Sequence, residues 1–435
     1  MSVSAQNNPI FRVPQIGTSP VSQAPQPAIS DFKNIEVYRQ QLSQETNDIN
    51  ARAMQEVESF ENKRQDILNN AAKAFAPEER LIPVISREKF ALTKIYWNTL
   101  FQLEDMARNE NLSLLKAIYL IENAYLDNKL PFERFQKLID DKTELCKYIM
   151  KRDRLPDNDL AKQYAIQKLF SEKINRYDPY TKTTKVTSPF SYDFNDFLGH
   201  EHWENMFVFK LLISGKGQCH SMPLLYLIMA EQLGAKAYLS FAPSHTYIQF
   251  YDPKGTMYHF ETTNGRLVSN NWLMQSGFIN ATAIKRQTYL DTTSQKKLIA
   301  DLMMDLIYGY MRKYGNDEFV SQTLKDIQFL SPDNLQALML QAEIKADKAK
   351  QAIYAVGIPP PDKLSQYPEA YRLYTEMQAA YKRIDDLGYQ NMPPDAYQKW
   401  LASVKKEAQK QESAEISARL KQSLKPKTTV TLKPQ

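Results

Sequence analysis

The chain has 435 residues, of which 43% are hydrophobic and 24% charged, and its net charge is +5. This composition is typical of a globular protein with about two to four domains, and the mild charge disfavours nucleic acid as a partner. Two cysteines without a CxxC pair exclude a disulfide scaffold. We expect no cofactor and, because no run approaches about 18 apolar residues, no membrane span.

The first 30 residues are rich in Pro, Gln, Ser and Ala, which predicts a disordered lead-in. This segment lacks the basic and apolar regions of a complete secretory signal. Ser4-Ala5-Gln6 nevertheless resembles the residues around a bacterial signal cleavage site. We therefore expect a periplasmic or secreted location slightly more than a cytoplasmic one.

Residues 31–175 are predicted to be entirely helical. Apolar residues at helical spacing from Ile35 to Ala71 favour one long amphipathic helix. Cys146 lies in a later helix, where a core position is the simpler interpretation. The further predicted helices are Arg87–Asn109, Leu112–Leu126, Phe132–Lys151 and Asp159–Lys173.

The composition changes at residues 177–197, where Tyr, Phe, Thr and Pro replace the Lys/Glu/Gln-rich helical pattern. A second domain, residues 176–295, is therefore expected to be α+β. The turn Asp252–Gly255 separates two of its strands. Its predicted elements are helices Trp203–Leu212 and Cys219–Leu233 and strands Ala237–Phe241, Thr246–Tyr251 and Thr256–Glu261.

Residues 296–411 return to a helical pattern, with breaks at Gly315-Asn316 and at Ser331–Asn334. This layout loosely resembles tetratricopeptide-type hairpins, although Pro359–Pro361 interrupts the period. Such a helical surface would recruit a protein partner. Two more helices, Pro368–Asp386 and Pro394–Gln411, precede a predicted basic, flexible tail at residues 412–435.

Cys219 is the candidate nucleophile. It follows the flexible turn Gly215–Gly217 and begins a predicted helix, whose first turn favours a thiolate through its unpaired N–H groups and dipole. The same amides would hold an oxyanion. A thiol also needs a base, and His245 begins a short strand that would aim its ring at a cleft. An isolated strand histidine is more often structural, but its combination with Cys219 favours the base.

These residues resemble the core of the transglutaminase-like superfamily, over about residues 176–290. The resemblance implies a papain-like fold with Cys219 as nucleophile, His245 as general base and Glu261 as the group that orients the imidazole. The family usually has aspartate at the third position. The segments that carry the resemblance are Gly217–Tyr226, Leu233–Tyr238, His245 and Tyr258–Gly265.

Strand register decides whether Glu261 reaches His245. An even loop would pair His245 with Thr262 and send Glu261 to the opposite face of the sheet. An odd loop or a bulge would pair Tyr247 with Glu261 and leave His245 diagonal to the carboxylate. We predict the odd register; in the even one, Asn264 would be the better orienting residue.

Two further sets of residues are candidates at this site. Gln218 and Trp203 would line it, and Gln218 would add a donor to an oxyanion hole, although each is more often a packing residue. His200 and His202, with His220 as a third ligand, suggest a metal site. Two histidines at i, i+2 converge mainly in strands, whereas this segment has a helical pattern, so we expect no metal.

Two functions remain open. The first is thiol-dependent acyl transfer or hydrolysis of an amide bond in a peptide or protein substrate. The second is a binding scaffold with a degenerate thiol site, which Glu261 in place of aspartate and the largely helical chain would favour.

Overall fold

A computed structural model describes residues 82–276, 279–389 and 411–424. Within these ranges the protein is a mixed α+β structure, with small antiparallel sheets and helices on both sides of them in the chain. The predicted lead-in at residues 1–30 and the first part of the predicted all-helical region, residues 31–81 with the long helix, lie outside the described residues. No helix in the described part is long and apolar enough to cross a membrane.

The helices that precede the sheets begin and end within a few residues of the predicted positions. Side-chain caps explain two of the starts, because Ser113 accepts a hydrogen bond from the Lys116 backbone and Asn158 accepts one from Ala161 N at 2.9 Å. These four helices are α1 (Ile82–Arg108), α2 (Leu114–Tyr125), α3 (Phe132–Arg152) and α4 (Asp159–Ser171).

A four-stranded antiparallel sheet carries the strands that the sequence predicted, in sequential order, and adds a fourth. Its strands are β5 (Tyr238–Ala242), β6 (His245–Tyr251), β7 (Met257–Glu261) and β8 (Arg266–Val268). Two smaller pairings, not predicted from the sequence, precede it. They consist of the hairpin β1 (Ile174–Asp178) and β2 (Thr183–Thr187), and of β3 (Ser191–Tyr192) parallel to β4 (Lys216–Gly217).

Two helices lie between β3 and β5. The single helix predicted at Trp203–Leu212 is instead a 3₁₀ turn, Trp203–Met206, followed by α5 (Val208–Ser214), because the backbone of Phe207 between them is extended. The next helix, α6 (Ser221–Leu233), is buried over most of its length and ends at Gly234 in the left-handed conformation.

The four-stranded sheet has two buried faces. One face, including Ile248 and Phe260, packs into the main hydrophobic core together with α6. The other face packs against a smaller cluster formed by Ala242, Tyr247 and the side chains of Trp272 and Leu273. The sheet is therefore covered on both sides, which is why most residues of β6 and β7 are buried on both faces, polar ones included.

Helices resume after the sheet, and the predicted breaks at Gly315-Asn316 and Ser331–Asn334 are both present. The long helix α9 contributes Leu302, Met303 and Leu306 to the same core as α6. The helices of this region are α7 (Asn270–Ser276), α8 (Ala281–Lys285), α9 (Gln295–Tyr314), α10 (Glu318–Leu330), α11 (Leu335–Ala355) and α12 (Pro368–Asp386).

A further helix, α13 (Gln411–Ser423), occupies the first part of the segment that was predicted as a flexible tail, residues 412–435, and residues 425–435 lie outside the described residues. Its apolar residues at Ile416, Leu420 and Leu424 recur at helical spacing, and Leu420 is 1% exposed within the main core. Burial of this apolar stripe stabilises the helix despite the basic composition around it. The helix predicted at Pro394–Gln411 lies almost entirely outside the described residues.

Candidate active site

The connection between β6 and β7 sets the register on which the site depends. Tyr251 pairs with Met257 and Ile248 with Phe260, so five residues form the loop and Tyr247 stands opposite Glu261. This is the odd register that the sequence predicted. Asp252 fixes the loop, because its Oδ1 accepts hydrogen bonds from the backbone N–H groups of Lys254 and Thr256, both at 2.8 Å.

His245 and Glu261 form a buried hydrogen-bonded pair. The Nε2 atom of His245 lies 2.6 Å from Oε2 of Glu261, and the two side chains are 1% and 0% exposed. A two-residue loop, Pro243-Ser244, places His245 directly at the start of β6, and the positive φ of Ser244 (56°) matches the type II turn that proline favours. The turn therefore places the His245 imidazole next to the Glu261 carboxylate.

The second oxygen of Glu261 is also held. Its Oε1 accepts hydrogen bonds from the backbone N–H of Thr263 at 3.0 Å and from the Thr263 hydroxyl at 2.7 Å. Both carboxylate oxygens are thus engaged, which fixes the orientation of the carboxylate relative to the imidazole. Thr263 was not among the residues singled out from the sequence, although it lies within the segment that carried the resemblance.

Cys219 lies two residues before α6 and is only partly buried. The Met222 N–H bonds to the Gln218 carbonyl at 3.0 Å, so the turn that contains Cys219 continues into the helix. The Cys219 thiol lies close enough to His245 to contribute to the raised pKa of the imidazole. Because Nε2 of the imidazole is engaged by the carboxylate, Nδ1 is the ring nitrogen that remains for the thiol.

The backbone carbonyl of Cys219 is also anchored. The hydroxyl of Thr246, the residue after His245, donates a hydrogen bond to the Cys219 carbonyl oxygen. This bond joins the first turn before α6 to the first residues of β6. This bond between a side chain and the main chain therefore restrains the separation of Cys219 and His245.

The electrostatics of the site favour a charged imidazole. Burial alone lowers the pKa of His245, but the charge of Glu261 and hydrogen bonds to Cys219 and Glu261 outweigh it and raise the pKa from 6.5 to about 9. At neutral pH the imidazole is then protonated and stabilises a neighbouring thiolate. The arrangement provides a nucleophile, a proton donor and acceptor, and a carboxylate that orients it.

Gln218 provides a buried donor beside the nucleophile. Its side chain is 0% exposed, and its Nε2 atom has no hydrogen-bond partner among the described residues. The opposite end of the amide is held by Ser221, whose hydroxyl lies 3.4 Å from Oε1 and accepts from the Gln218 N–H at 3.2 Å. A buried amide N–H without an acceptor costs free energy, so this group is suited to donate a hydrogen bond to a ligand oxygen.

Trp203 and Asn264 have described contacts outside the Cys219, His245 and Glu261 group. Trp203 packs against α9, where the Arg312 guanidinium lies 3.9 Å from the ring centroid and Tyr308 packs edge-on, and it lines a small cavity together with His220. Asn264 lies in the turn between β7 and β8, where its Oδ1 accepts from Arg266 N at 2.9 Å. With the odd register present, the orienting position belongs to Glu261.

The histidines considered as metal ligands do not form a metal site. Within the described residues, no three His, Cys, Asp or Glu side chains are grouped so as to hold a metal ion. His220 instead contacts Asp305, with Nε2 and Oδ2 3.3 Å apart. The backbone N–H groups of His200 and His202 donate to the carboxylate of Asp196 and order the loop before the 3₁₀ turn.

Cys146 occupies the core position that the sequence favoured. It is 0% exposed within α3, and burial raises the pKa of its thiol above the usual value. The two thiols of the chain therefore differ in both exposure and chemical environment.

Comparisons of the chain with protein-family models, curated proteins and solved structures find no match.

Proposed function

We propose that the protein is a cysteine-dependent amidase, peptidase or acyltransferase with a papain-like catalytic arrangement. The observation that carries this proposal is the buried contact of 2.6 Å between His245 and Glu261, with Cys219 close enough to contribute to the raised pKa of the same imidazole. Structural cysteines rarely require a histidine that is itself oriented by a carboxylate. The resemblance to the transglutaminase-like superfamily supports the same reading.

In the proposed reaction, the Cys219 thiolate attacks the carbonyl carbon of an amide. Nε2 of Gln218 and the backbone N–H groups of the turn stabilise the oxyanion that develops on the carbonyl oxygen. The protonated His245 gives its proton to the leaving amine as the C–N bond breaks, which leaves a thioester. Water or a second amine, deprotonated by His245, then displaces the thiolate and completes hydrolysis or transfer.

The proposed substrate is a peptide or protein. The thiol is partly exposed at the surface, and the helices that follow α9 would recruit the substrate or a partner protein. Neither hydrolysis nor transfer is favoured by the residues around the thiol, because both proceed through the same thioester.

Alkylation tests the proposal directly. Iodoacetamide should label Cys219 selectively at pH 6, because a thiolate paired with an imidazolium persists below the ordinary thiol pKa. Buried Cys146 is the internal reference, and Cys219→Ser is the control for the site of labelling. Brief exposure to an activated ester such as p-nitrophenyl acetate should also leave an acyl group on Cys219 that hydroxylamine releases as hydroxamate. Labelling of Cys219 that is slow at pH 6 and rises only as the pH approaches the ordinary thiol pKa of about 8.5 would refute the proposal.

A binding scaffold is the second candidate, and one observation favours it. A surface pocket of about 350 Å³ is lined by Tyr125, Arg134 and Lys313 among others, and its lining contains none of the three proposed catalytic residues. Under this alternative the helical regions bind a partner and the thiol is inert. The alkylation experiment separates the two, since the scaffold requires no enhanced reactivity of Cys219.

A further inference from the structure

A second pair of imidazole and carboxylate lies next to the proposed nucleophile. His220 follows Cys219 directly in the chain and is the N-cap residue of α6, with its backbone in the helical region. Its Nε2 atom is 3.3 Å from Oδ2 of Asp305, a residue of α9. The contact joins a residue of the nucleophile turn to a helix that lies far away in the chain.

The His220 side chain is partly buried and lies beside a small cavity. A small cavity of about 20 Å³ is lined by His220, Asp305 and Glu122 together with apolar side chains such as Leu224 and Leu302. This volume is close to that of a single water molecule. The side chains of His220 and Asp305 are 27% and 16% exposed, so their interaction is partly screened by solvent.

Two carboxylates, Asp305 and Glu122, affect the charge of His220. Burial lowers the pKa of His220, but Asp305, by its charge and hydrogen bond, outweighs that effect and raises it, with smaller contributions from Cys219 and Glu122. Glu122 is buried and caps α5 through Val208 N and Phe209 N, and burial raises its pKa to about 8.

Asp301, one turn before Asp305 in α9, accepts a hydrogen bond from Asn334 at 2.7 Å, and burial raises its pKa to about 7. Near pH 6, both Glu122 and Asp301 are therefore mainly protonated. Asp305 is then the principal anion facing the His220 imidazole.

We propose that His220, held as an imidazolium by Asp305, is a second positive charge beside Cys219 that stabilises the thiolate. His220 is then a positioning residue that acts through the nucleophile, and α9 supports the site through Asp305. The inference rests on the proposed function, because it requires Cys219 to react as a thiolate. It adds a determinant of reactivity outside the Cys219, His245 and Glu261 group.

The test measures the rate of iodoacetamide labelling of Cys219 in the full chain between pH 4 and 9 (about one point per half unit). His220→Gln removes the charge and should raise the midpoint of the profile by about one pH unit, which slows labelling at pH 6 by about tenfold. His220→Lys retains a positive charge and should keep a midpoint close to that of the parent. The matched control is His202→Gln, which removes an exposed histidine and should leave the profile unchanged.

An unchanged midpoint in a folded His220→Gln variant would overturn the inference, as would a His220→Lys variant that behaves like His220→Gln. Thermal unfolding establishes that the variants are folded. Should His220→Gln fail to fold, NMR titration of the His220 ring in Asp305→Asn provides the second test. The pKa of His220 must fall in that variant, and an unchanged value contradicts the inference. Absence of selective Cys219 labelling in the parent protein would instead refute the proposed function itself.

Discussion

Glu261→Gln isolates the charge of the carboxylate that contacts His245. Glutamine has nearly the same shape and keeps an oxygen that accepts a hydrogen bond from Nε2, so the main loss is the negative charge. Without that charge, burial lowers the pKa of His245 and the imidazole becomes neutral near pH 7. We expect iodoacetamide labelling of Cys219 at pH 6 to fall by about 100-fold, since the thiolate loses its counterion.

The same substitution has a calculable effect on stability. The pKa of His245 in the folded protein, about 9, lies above its ordinary value of 6.5. A raised pKa stabilises the folded protein below pH 6.5, and this stabilisation is lost as the pH rises through 9. The difference corresponds to about 3 kcal/mol, and the side chain is 1% exposed, so no reduction for solvent screening applies.

Urea unfolding of the parent and Glu261→Gln at pH 6, 7.5 and 9.5 (about 25 °C) measures this effect. The loss in free energy of unfolding should be about 3 kcal/mol at pH 6 and approach zero at pH 9.5. Glu231→Gln is the matched control, because the Glu231 carboxylate accepts from Leu114 N and Leu115 N and has no histidine partner. Its cost should be equal at pH 7.5 and 9.5. A loss for Glu261→Gln that is the same at all three pH values would refute the reasoning.

Three further predictions concern the groups around this pair. Thr263→Val removes the hydroxyl that donates to the Glu261 carboxylate, so it should destabilise the protein by about 1 kcal/mol in urea unfolding and slow labelling of Cys219 at pH 6. The control is Thr262→Val, which should be neutral or stabilising, because the buried hydroxyl of Thr262 has no partner among the described residues. Gln218→Leu should slow acylation by an activated ester by about 100-fold and leave iodoacetamide labelling unchanged, because alkylation forms no oxyanion; equal losses in both assays would contradict its role. Gly265→Ala should lower the free energy of unfolding by about 3 kcal/mol or more, because the φ of Gly265 is +68° and the added Cβ would clash with the backbone oxygen of Phe170. Gly255→Ala, where φ is +81° but the space around the Cβ is open, should lower it by only about 1 kcal/mol.

The central elements were predictable because their signals are local. Gly217 and Gly234 bracket α6, and the turn residues before His245 and after Tyr251 mark the strand between them. Side chains alternate along β6, so His245 and Tyr247 lie on the same face of the strand. Glu261 of β7 can contact His245 only from that face, and the odd register puts it there. The pairing of β6 with β7 agrees with this prediction.

Other features depend on contacts between distant residues, which no local pattern indicates. The 3₁₀ turn before α5 was predicted as helix, yet α5 begins at Val208, where the carboxylate of Glu122 from α2 caps its first N–H groups. The contact of His220 with Asp305 likewise has no sequence signal. The hairpin β1–β2 is almost entirely exposed, so it lacks the alternation of apolar residues by which strands are recognised.

The length of the Glu261 side chain follows from the register. Because Glu261 stands opposite Tyr247, it approaches His245 along the diagonal of the sheet, where neighbouring residues are farther apart than direct partners. Glutamate spans this distance and makes the 2.6 Å contact, whereas aspartate is shorter by about 1.3 Å. The longer side chain of glutamate therefore fits this diagonal geometry. On this reasoning Glu261→Asp should slow labelling of Cys219 at pH 6 by at least about tenfold, although the charge is retained. A Glu261→Asp variant that labels as fast as the parent would show that the strand spacing adjusts and that the longer side chain is not required.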